Sequence, residues 1–253
     1  MEVRKTRTSF SSLENALRLL QLFSMDETEL SITDISERLN ISKSAAHRLL
    51  QTLKSEGFVK KDAKTNLYSL GASLLAMRKI IHSRFPICQI ALPFLQELVS
   101  LSGESAHIAT LHGADVIYLH KVECDHPIRL LSYVGKKNPA FCTSTGQAIL
   151  AYQPRETIDR IIARGLPAFT PRTITSPSTL LEKLAQVKQQ GYAISREELH
   201  EGVTSISAPI PHRNGEVRYS VSIAGPIQRI NDRSIPHLVQ LVMQTAHAIS
   251  AKL

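Results

Sequence analysis

Residues 42–51, Ser-Lys-Ser-Ala-Ala-His-Arg-Leu-Leu-Gln, carry the densest set of recognition chemistry in the chain. Ala46, Leu49, Leu50 and Leu53 recur at helical spacing and predict a buried stripe, which leaves Lys43, Ser44, Ala45, His47, Arg48 and Gln51 on the outer face. Arg48 has the fork that pairs with guanine edges or a phosphate, Gln51 the amide that pairs with adenine, and Ala45 a methyl for thymine. Ser42, Lys43, Ser44 and His47 suit phosphate or base contact.

A second set lies far along the chain. Alternation predicts Ser205 and Ser207 on one face of a strand, and Ser220, Ser222 and Ala224 on one face of the next. Cys142-Thr-Ser-Thr-Gly146 predicts a helix start, whose free N–H groups, those of Ser144, Thr145 and Gly146 among them, favour an anion. Together they suit a small polar carboxylate. Solvent-facing positions of an amphipathic sheet would give the same serine pattern, and the pattern alone leaves both readings open.

A third set offers catalysis. Cys142 with His107 or His120 could be nucleophile and base for acyl transfer or hydrolysis, and a depressed thiol pKa is the feature that would favour it. His107, His112 and His120 could in principle ligate a metal. Buried packing of a lone cysteine and of strand histidines is the more frequent use, and the chain has no G-x-S-x-G, no H-E-x-x-H and no phosphate-binding glycine loop. The expectation is a protein that is not an enzyme and holds neither cofactor nor metal.

The elements that must position these groups follow from capping and periodicity. Ser11-Ser-Leu-Glu14 is a capping box, predicting a helix whose Leu13, Leu17 and Leu20 face a small core. Thr33 is the expected N-cap of a second helix carrying Ile35 and Leu39, with Asn40 as its left-handed stop. A tight connection leads to the third helix, capped by Ser42 and ended by Gly57. Residues 58–61 and 67–70 predict a hairpin wing, with Lys60 and Lys61 on its first strand, Lys64 in its turn, and an Arg4/Lys5/Arg7 arm to serve phosphates or the minor groove. This order is a winged helix-turn-helix. Residues 71–85 predict a linker helix with Leu74, Met77 and Ile81 on one side. A helix over 87–102 is expected to be interrupted or kinked at Pro93. Strands follow on either side of His112-Gly-Ala-Asp115, a further strand over 129–134, a loop over 135–139, two helices within 154–191, a hairpin of 203–211 with 218–224, and a closing helix over 234–252.

Charge separates the first two helices from the third. Residues 9–40 hold two basic and six acidic side chains, whereas residues 41–64 hold six basic and two acidic ones. The formal net charge is +8, and its basic share in this region concentrates on the third helix and the wing. An ordinary solvated helix face is argued against by the tight turn, the charge reversal and the wing taken together, and use of the motif for protein contact by the placing of the cations. Three cysteines without a C-x-x-C pair fit a reducing compartment, and no apolar run reaches membrane-spanning length, so a cytoplasmic protein away from membranes is expected.

Leu30-Ser-Ile-Thr-Asp-Ile-Ser, Lys43-Ser-Ala-Ala-His-Arg-Leu-Leu50, Gly57-Phe-Val and Tyr68-Ser-Leu-Gly71 resemble the N-terminal half of IclR-type bacterial transcription regulators. The likeness continues through Gly103-Glu-Ser-Ala-His107, Cys142-Thr-Ser-Thr-Gly146, Thr173-Ile-Thr, Glu197-Glu198, Gly202-Val203 and Ser222-Ile-Ala-Gly-Pro226. The resemblance implies an α+β, two-domain chain. A winged helix-turn-helix DNA-binding domain (1–70) and a linker helix (71–85) precede a GAF-like α/β domain (86–253) that binds an effector and oligomerises. It implies homodimers or tetramers on palindromic double-stranded operator DNA, with repression preferred to activation. Its effector-contacting positions match Ser144, Thr145, Ser195, Val203, Ser205, Ser222 and Ala224. The family's common lysine after the glycine is Gln147 here, and some members place an acidic residue where this chain has Ser195 and a serine where it has Ala224. A sugar acid is the first expectation for the effector, an aromatic acid the second.

Overall fold

The computed structural model describes residues 10–24, 27–83, 85–126 and 132–253. The chain divides into two compact units, the second starting at Phe85.

The first unit builds α1 (Ser12–Leu20), β1 (Glu29–Leu30), α2 (Ile32–Leu39), α3 (Lys43–Ser55), β2 (Val59–Lys61), β3 (Tyr68–Leu70) and α4 (Ser73–Ser83). Ser11 caps α1 as a full capping box, its Oγ accepting from the Glu14 N–H at 3.1 Å while the Glu14 carboxylate accepts from the Ser11 N–H at 2.7 Å. Two expectations are corrected here. The cap of α2 is Ser31, not Thr33: Ser31 is extended, its Oγ accepts from Asp34 N–H, and the Asp34 carboxylate reaches back to Ser31. The core of α1 is Leu19 with Ala16 and Leu20, whereas Leu13 and Leu17 lie exposed, 69% and 54%. The helix carries two apolar stripes, and periodicity cannot say which one meets the core. Asn40 in the left-handed conformation (φ 54°) ends α2 two residues before the Ser42 cap of α3, giving the tight turn. Leu19, Leu30, Ile35, Leu39, Ala46, Leu50, Val59 and Tyr68 form the core of the unit, under a three-stranded sheet of order β1-β3-β2.

The second unit is one antiparallel sheet with helices on both faces. Its elements are α5 (Pro86–Ser102), β4 (Ser105–His112), β5 (Asp115–Val122), β6 (Lys137–Pro139), a 3-10 turn (Ala140–Cys142), α6 (Ser144–Leu150), α7 (Arg155–Ala163), α8 (Pro177–Gln190), β7 (Ala193–Arg196), β8 (Val203–Pro211), β9 (Val217–Pro226) and α9 (Ile235–Ser250). The sheet order is β6-β5-β4-β9-β8-β7. Ala106, Ile108, Ile206, Ala208, Val221 and Ile223 project from one face into a core with α5 and α9. The opposite face lies under α6, with Ile149, Leu150, Leu180 and Leu184 filling a second core. Among the described residues no helix is long and apolar enough to cross a membrane.

Helix α5 is continuous from Pro86 to Ser102, which excludes an interruption at Pro93. Two further expectations concern the strands. Residues 137–139, expected in a loop, pair with β5 as an edge strand, Lys137 opposite Ile117. The strand expected over 129–134 lies partly outside the described residues, and 132–134 are not extended into a ladder.

Candidate functional site

The first site is the outer face of α3. The Ser42 Oγ is spent on the cap, accepting from Ala45 N–H at 3.2 Å, and lies 3.0 Å from Ser44 Oγ. Ala45 is half-buried, and Lys43, Ser44, His47, Arg48 and Gln51 are exposed. Nε2 of His47 sits 3.3 Å from Nε2 of Gln51, one turn on, so these two act as a pair. On the wing Lys60 and Lys64 are exposed, while Lys61 is half-buried with its ammonium 5.6 Å from the Tyr68 ring centroid. Asp62 holds the wing turn, one carboxylate oxygen accepting from the N–H groups of Lys64 and Thr65 at 2.8 Å each. The Arg4/Lys5/Arg7 arm lies outside the described residues. Sequence reasoning left out Lys54, which with Lys60, Lys61 and Ser73 lines a groove of about 360 Å³. Its position in the last turn of the basic helix was the available signal. Acidic charge in the first half is internally engaged, Arg38 pairing with both oxygens of Glu27.

The second site is the sheet face beneath α6. Register places Ser195 beside Ser205, Ser205 beside Ala224, and Ser207 beside Ser222. Four serine hydroxyls on or beside this face already donate within the protein. Ser144 Oγ donates to Ser205 Oγ at 2.8 Å, Ser195 to the Cys142 carbonyl at 3.3 Å, Ser207 to the Val221 carbonyl at 2.8 Å, and Ser220 to the Thr145 carbonyl at 3.1 Å. Val203 is half-buried on the same strand face. Gly146 is a correction. Its N–H donates to the Thr143 Oγ1 cap at 3.2 Å, and a Cβ there would fall 2.1 Å from the Ala140 carbonyl oxygen. It serves close packing, and its N–H is not available to an anion. The N–H groups of Ser144 and Thr145, in the same first turn, have no helical carbonyl to bond, and the first such bond is from Gln147 to the Thr143 carbonyl.

The strand pair β4–β5 carries the candidate histidines and adds Lys121 and Tyr118, which the pattern did not select. A bulge between Ile108 and Ala109 sets His107 opposite Lys121 and His120 opposite Ile108. His107 and Lys121 therefore share the α6 face and His120 the other, so the three histidines do not converge. Among the described residues no group of three or more His, Cys, Asp or Glu could hold a metal. His107 is buried, its ring 4.8 Å from that of Tyr118 and its Nε2 2.7 Å from Ser132 Oγ. Burial, with the neighbouring Lys121 charge, pushes its pKa down to about 3, so it stays neutral.

Cys142 is wholly buried, and burial with the nearby Glu198 pushes its thiol up to about 12, the reverse of an activated nucleophile. Glu198 is itself buried and raised to about 7 by desolvation, with Lys183 and Gln147 opposing. Gln147 donates one amide to both Glu198 (2.6 Å) and the Phe141 carbonyl (3.0 Å). Thr170 and Thr173 donate to the carbonyls of Glu197 and Glu198, each at 2.6 Å, which gives those motif residues a structural use.

Comparison with known proteins agrees with both halves. The profile described as IclR helix-turn-helix domain matches residues 12–63, and the one described as bacterial transcriptional regulator IclR C-terminal matches residues 79–251. The chain is 32% identical to the HTH-type transcriptional regulator KdgR of Escherichia coli, over all of this chain and 96% of that one. It is 30% identical to XynR of the same organism, over 96% of each. An IclR homolog from Microbacterium hydrocarbonoxydans, solved in complex with 4-hydroxybenzoate, superposes with a TM-score of 0.82 at 26% identity, covering 96% of this chain and 99% of that one.

Proposed function

The chain belongs to the IclR family of bacterial transcriptional regulators, and from that premise we propose that it is a repressor whose hold on a palindromic operator is set by a small carboxylate, most simply a sugar acid. It is a DNA-binding regulator with a C-terminal effector domain and not an enzyme. The observation that carries the finer reading is the face under α6, buried yet lined with hydroxyls at Ser144, Ser195, Ser205 and Ser222. Such a lining suits a ligand rich in hydroxyl groups. Residues 1–70 would read DNA through α3 and the wing, 71–85 would connect, and 86–253 would hold the effector. An aromatic acid is the second reading: the homolog from Microbacterium was solved with 4-hydroxybenzoate, and the neighbouring His107 and Tyr118 rings, tilted by 35°, put aromatic side chains on the same sheet face here.

A palindromic operator requires two reading helices at a fixed spacing, hence a dimer or a tetramer. Leu13 and Leu17 on α1 and Leu75 and Met77 on α4 are exposed apolar side chains that a second copy would cover. An effector that binds one dimer geometry better than another then changes operator affinity. The test is a fluorescence-anisotropy titration of the full chain against DNA flanking its own gene, at two salt concentrations, with and without sugar acids and aromatic acids. Sequence-preferring binding that one acid shifts is expected. Weak binding that vanishes with salt and ignores every acid would overturn the proposal.

A further inference from the structure

On the sheet face beneath α6 most hydroxyls already have one partner within the protein, which leaves each only part of its hydrogen-bonding capacity for a ligand. The polar atoms left over are more informative. His107 Nδ1 is buried and has no hydrogen-bond partner among the described residues. Thr145 Oγ1, also buried, has the Tyr118 hydroxyl beside it and no hydrogen bond of standard geometry among the described residues. Ser222, 2% exposed and directly across the ladder from His107, makes no side-chain hydrogen bond among the described residues. Thr145 reaches the same place, since its carbonyl accepts from Ser220, the next residue on that face of β9. Leaving such a buried group unpaired costs about 1–3 kcal/mol, so a native chain keeps one where something else completes it.

Charge is supplied from the other side of His107. Lys121 is its direct partner on β5, and its side chain is 8% exposed. Two of its ammonium hydrogens go to the Ser132 carbonyl (2.6 Å) and to Glu123 (2.9 Å), a carboxylate that is half in solvent. Among the described residues one hydrogen of Lys121 remains without an acceptor. Ser132 also holds His107, so cation and imidazole are fixed against the same residue.

We infer that Lys121 and His107 form the charged end of the effector site, Lys121 taking the carboxylate of a hydroxy acid while His107 Nδ1, Thr145 and Ser222 take its hydroxyls. This rests on the effector reading above and names its ligand class and orientation. The imidazole, being neutral, can donate to or accept from a hydroxyl but cannot replace the cation. Lys121, His107 and Ser222 stand on three neighbouring strands, about 10 Å from first to last backbone. A ligand touching all three needs a chain of about five or six carbons, longer than a two-carbon acid.

The test is isothermal titration of the full chain with D-gluconate, D-galacturonate and 4-hydroxybenzoate, repeated on Lys121→Met, His107→Phe and, as a control, Lys137→Met, an exposed lysine on the edge strand. The wild type should bind a hydroxy acid, Lys121→Met should weaken it tenfold or more, His107→Phe should weaken it several-fold, and Lys137→Met should leave it within twofold. Should Lys121→Met fail to fold, Lys121→Gln keeps a donor for the Ser132 carbonyl and should show the same loss. A hydroxy acid bound equally by wild type, the Lys121 variant and His107→Phe would overturn the inference, the orphan atoms then serving ordered water only, and would leave the effector reading intact. Binding of 4-hydroxybenzoate and of no hydroxy acid would overturn the ligand class. A wild type that binds none of the three acids would overturn this inference and the effector reading together.

Discussion

Replacing Arg48 by alanine isolates what the outer face of α3 does. The Arg48 side chain is exposed and makes no hydrogen bond or ion pair with another side chain among the described residues, so its loss should change stability by less than about 0.5 kcal/mol. A bidentate pair with a guanine is worth roughly 1–3 kcal/mol, which is about 5- to 150-fold in operator affinity for each reading helix. Two helices acting together in a dimer would multiply that factor by itself. Lys60→Ala is the contrasting variant, since an exposed wing lysine suits a phosphate. It should weaken operator and random DNA alike and make the salt dependence shallower by about 0.9 in log–log slope for each wing that contacts a phosphate. Anisotropy titrations on operator and on shuffled DNA, at several salt concentrations between about 50 and 200 mM, separate the two. Equal loss of Arg48→Ala on both DNAs, with a reduced salt slope, would make Arg48 a phosphate contact. No loss on either would refute α3 as the reading helix.

Cys142 should resist iodoacetamide at pH 8 in the native protein and react on unfolding, as burial holds its thiol up at about 12; fast native labelling would contradict that. Glu198→Gln removes a carboxyl whose folded pKa, about 7, lies above its ordinary 4.5, so the wild type loses stability as pH rises through that interval. The variant should therefore gain relative to wild type between pH 5 and pH 8, by on the order of 3 kcal/mol, read from urea midpoints; a pH-independent difference would refute it. Gly146→Ala should lower the melting temperature of the effector unit by several degrees, since overpacking costs about 1–3 kcal/mol, while the protein that remains folded binds effector with unchanged affinity. Loss of affinity without loss of stability would return Gly146 to the binding site. Met77→Glu should shift the mass in solution toward the monomer and weaken operator binding, and an unchanged mass would exclude α4 from the subunit contact.

The reading helix was legible because its signals are local. Ser42, the buried Ala46 and Leu50, and the exposed Arg48 and Gln51 all follow from one helical period and one cap. The α1 core was not, because Leu13–Leu17 and Ala16–Leu19–Leu20 are both consistent with that period and only tertiary contact chooses between them. Ser31 was passed over for Thr33 since an aspartate in place of glutamate at the third position still completes a capping box. In the second unit the serine faces were legible from alternation and His107 stood out as a candidate base, but its pairing with Lys121 on the α6 face was not legible. The bulge at Ile108 shifts the β5 register by one, and a one-residue shift moves every later side chain to the other face.

The two sites differ in what their unpaired groups cost. Arg48, Lys43 and Lys60 stand in water, so the free protein loses nothing by leaving them without partners, and DNA is recognised by exchange of hydration for base and phosphate contacts. His107 Nδ1 and Thr145 Oγ1 are buried, and at about 1–3 kcal/mol apiece they leave the unliganded effector domain less stable than it would be with both satisfied. A ligand that completes them therefore returns free energy to whichever arrangement of the domain holds it best. That difference, of the same size as ordinary allosteric couplings of about 1–3 kcal/mol, is enough to change operator affinity severalfold to about a hundredfold. It requires that the orphan atoms be better satisfied in one dimer geometry than in another, so His107→Phe should weaken both the effector and its influence on DNA. A variant that still binds effector as wild type does yet no longer transmits it to DNA would place the coupling elsewhere.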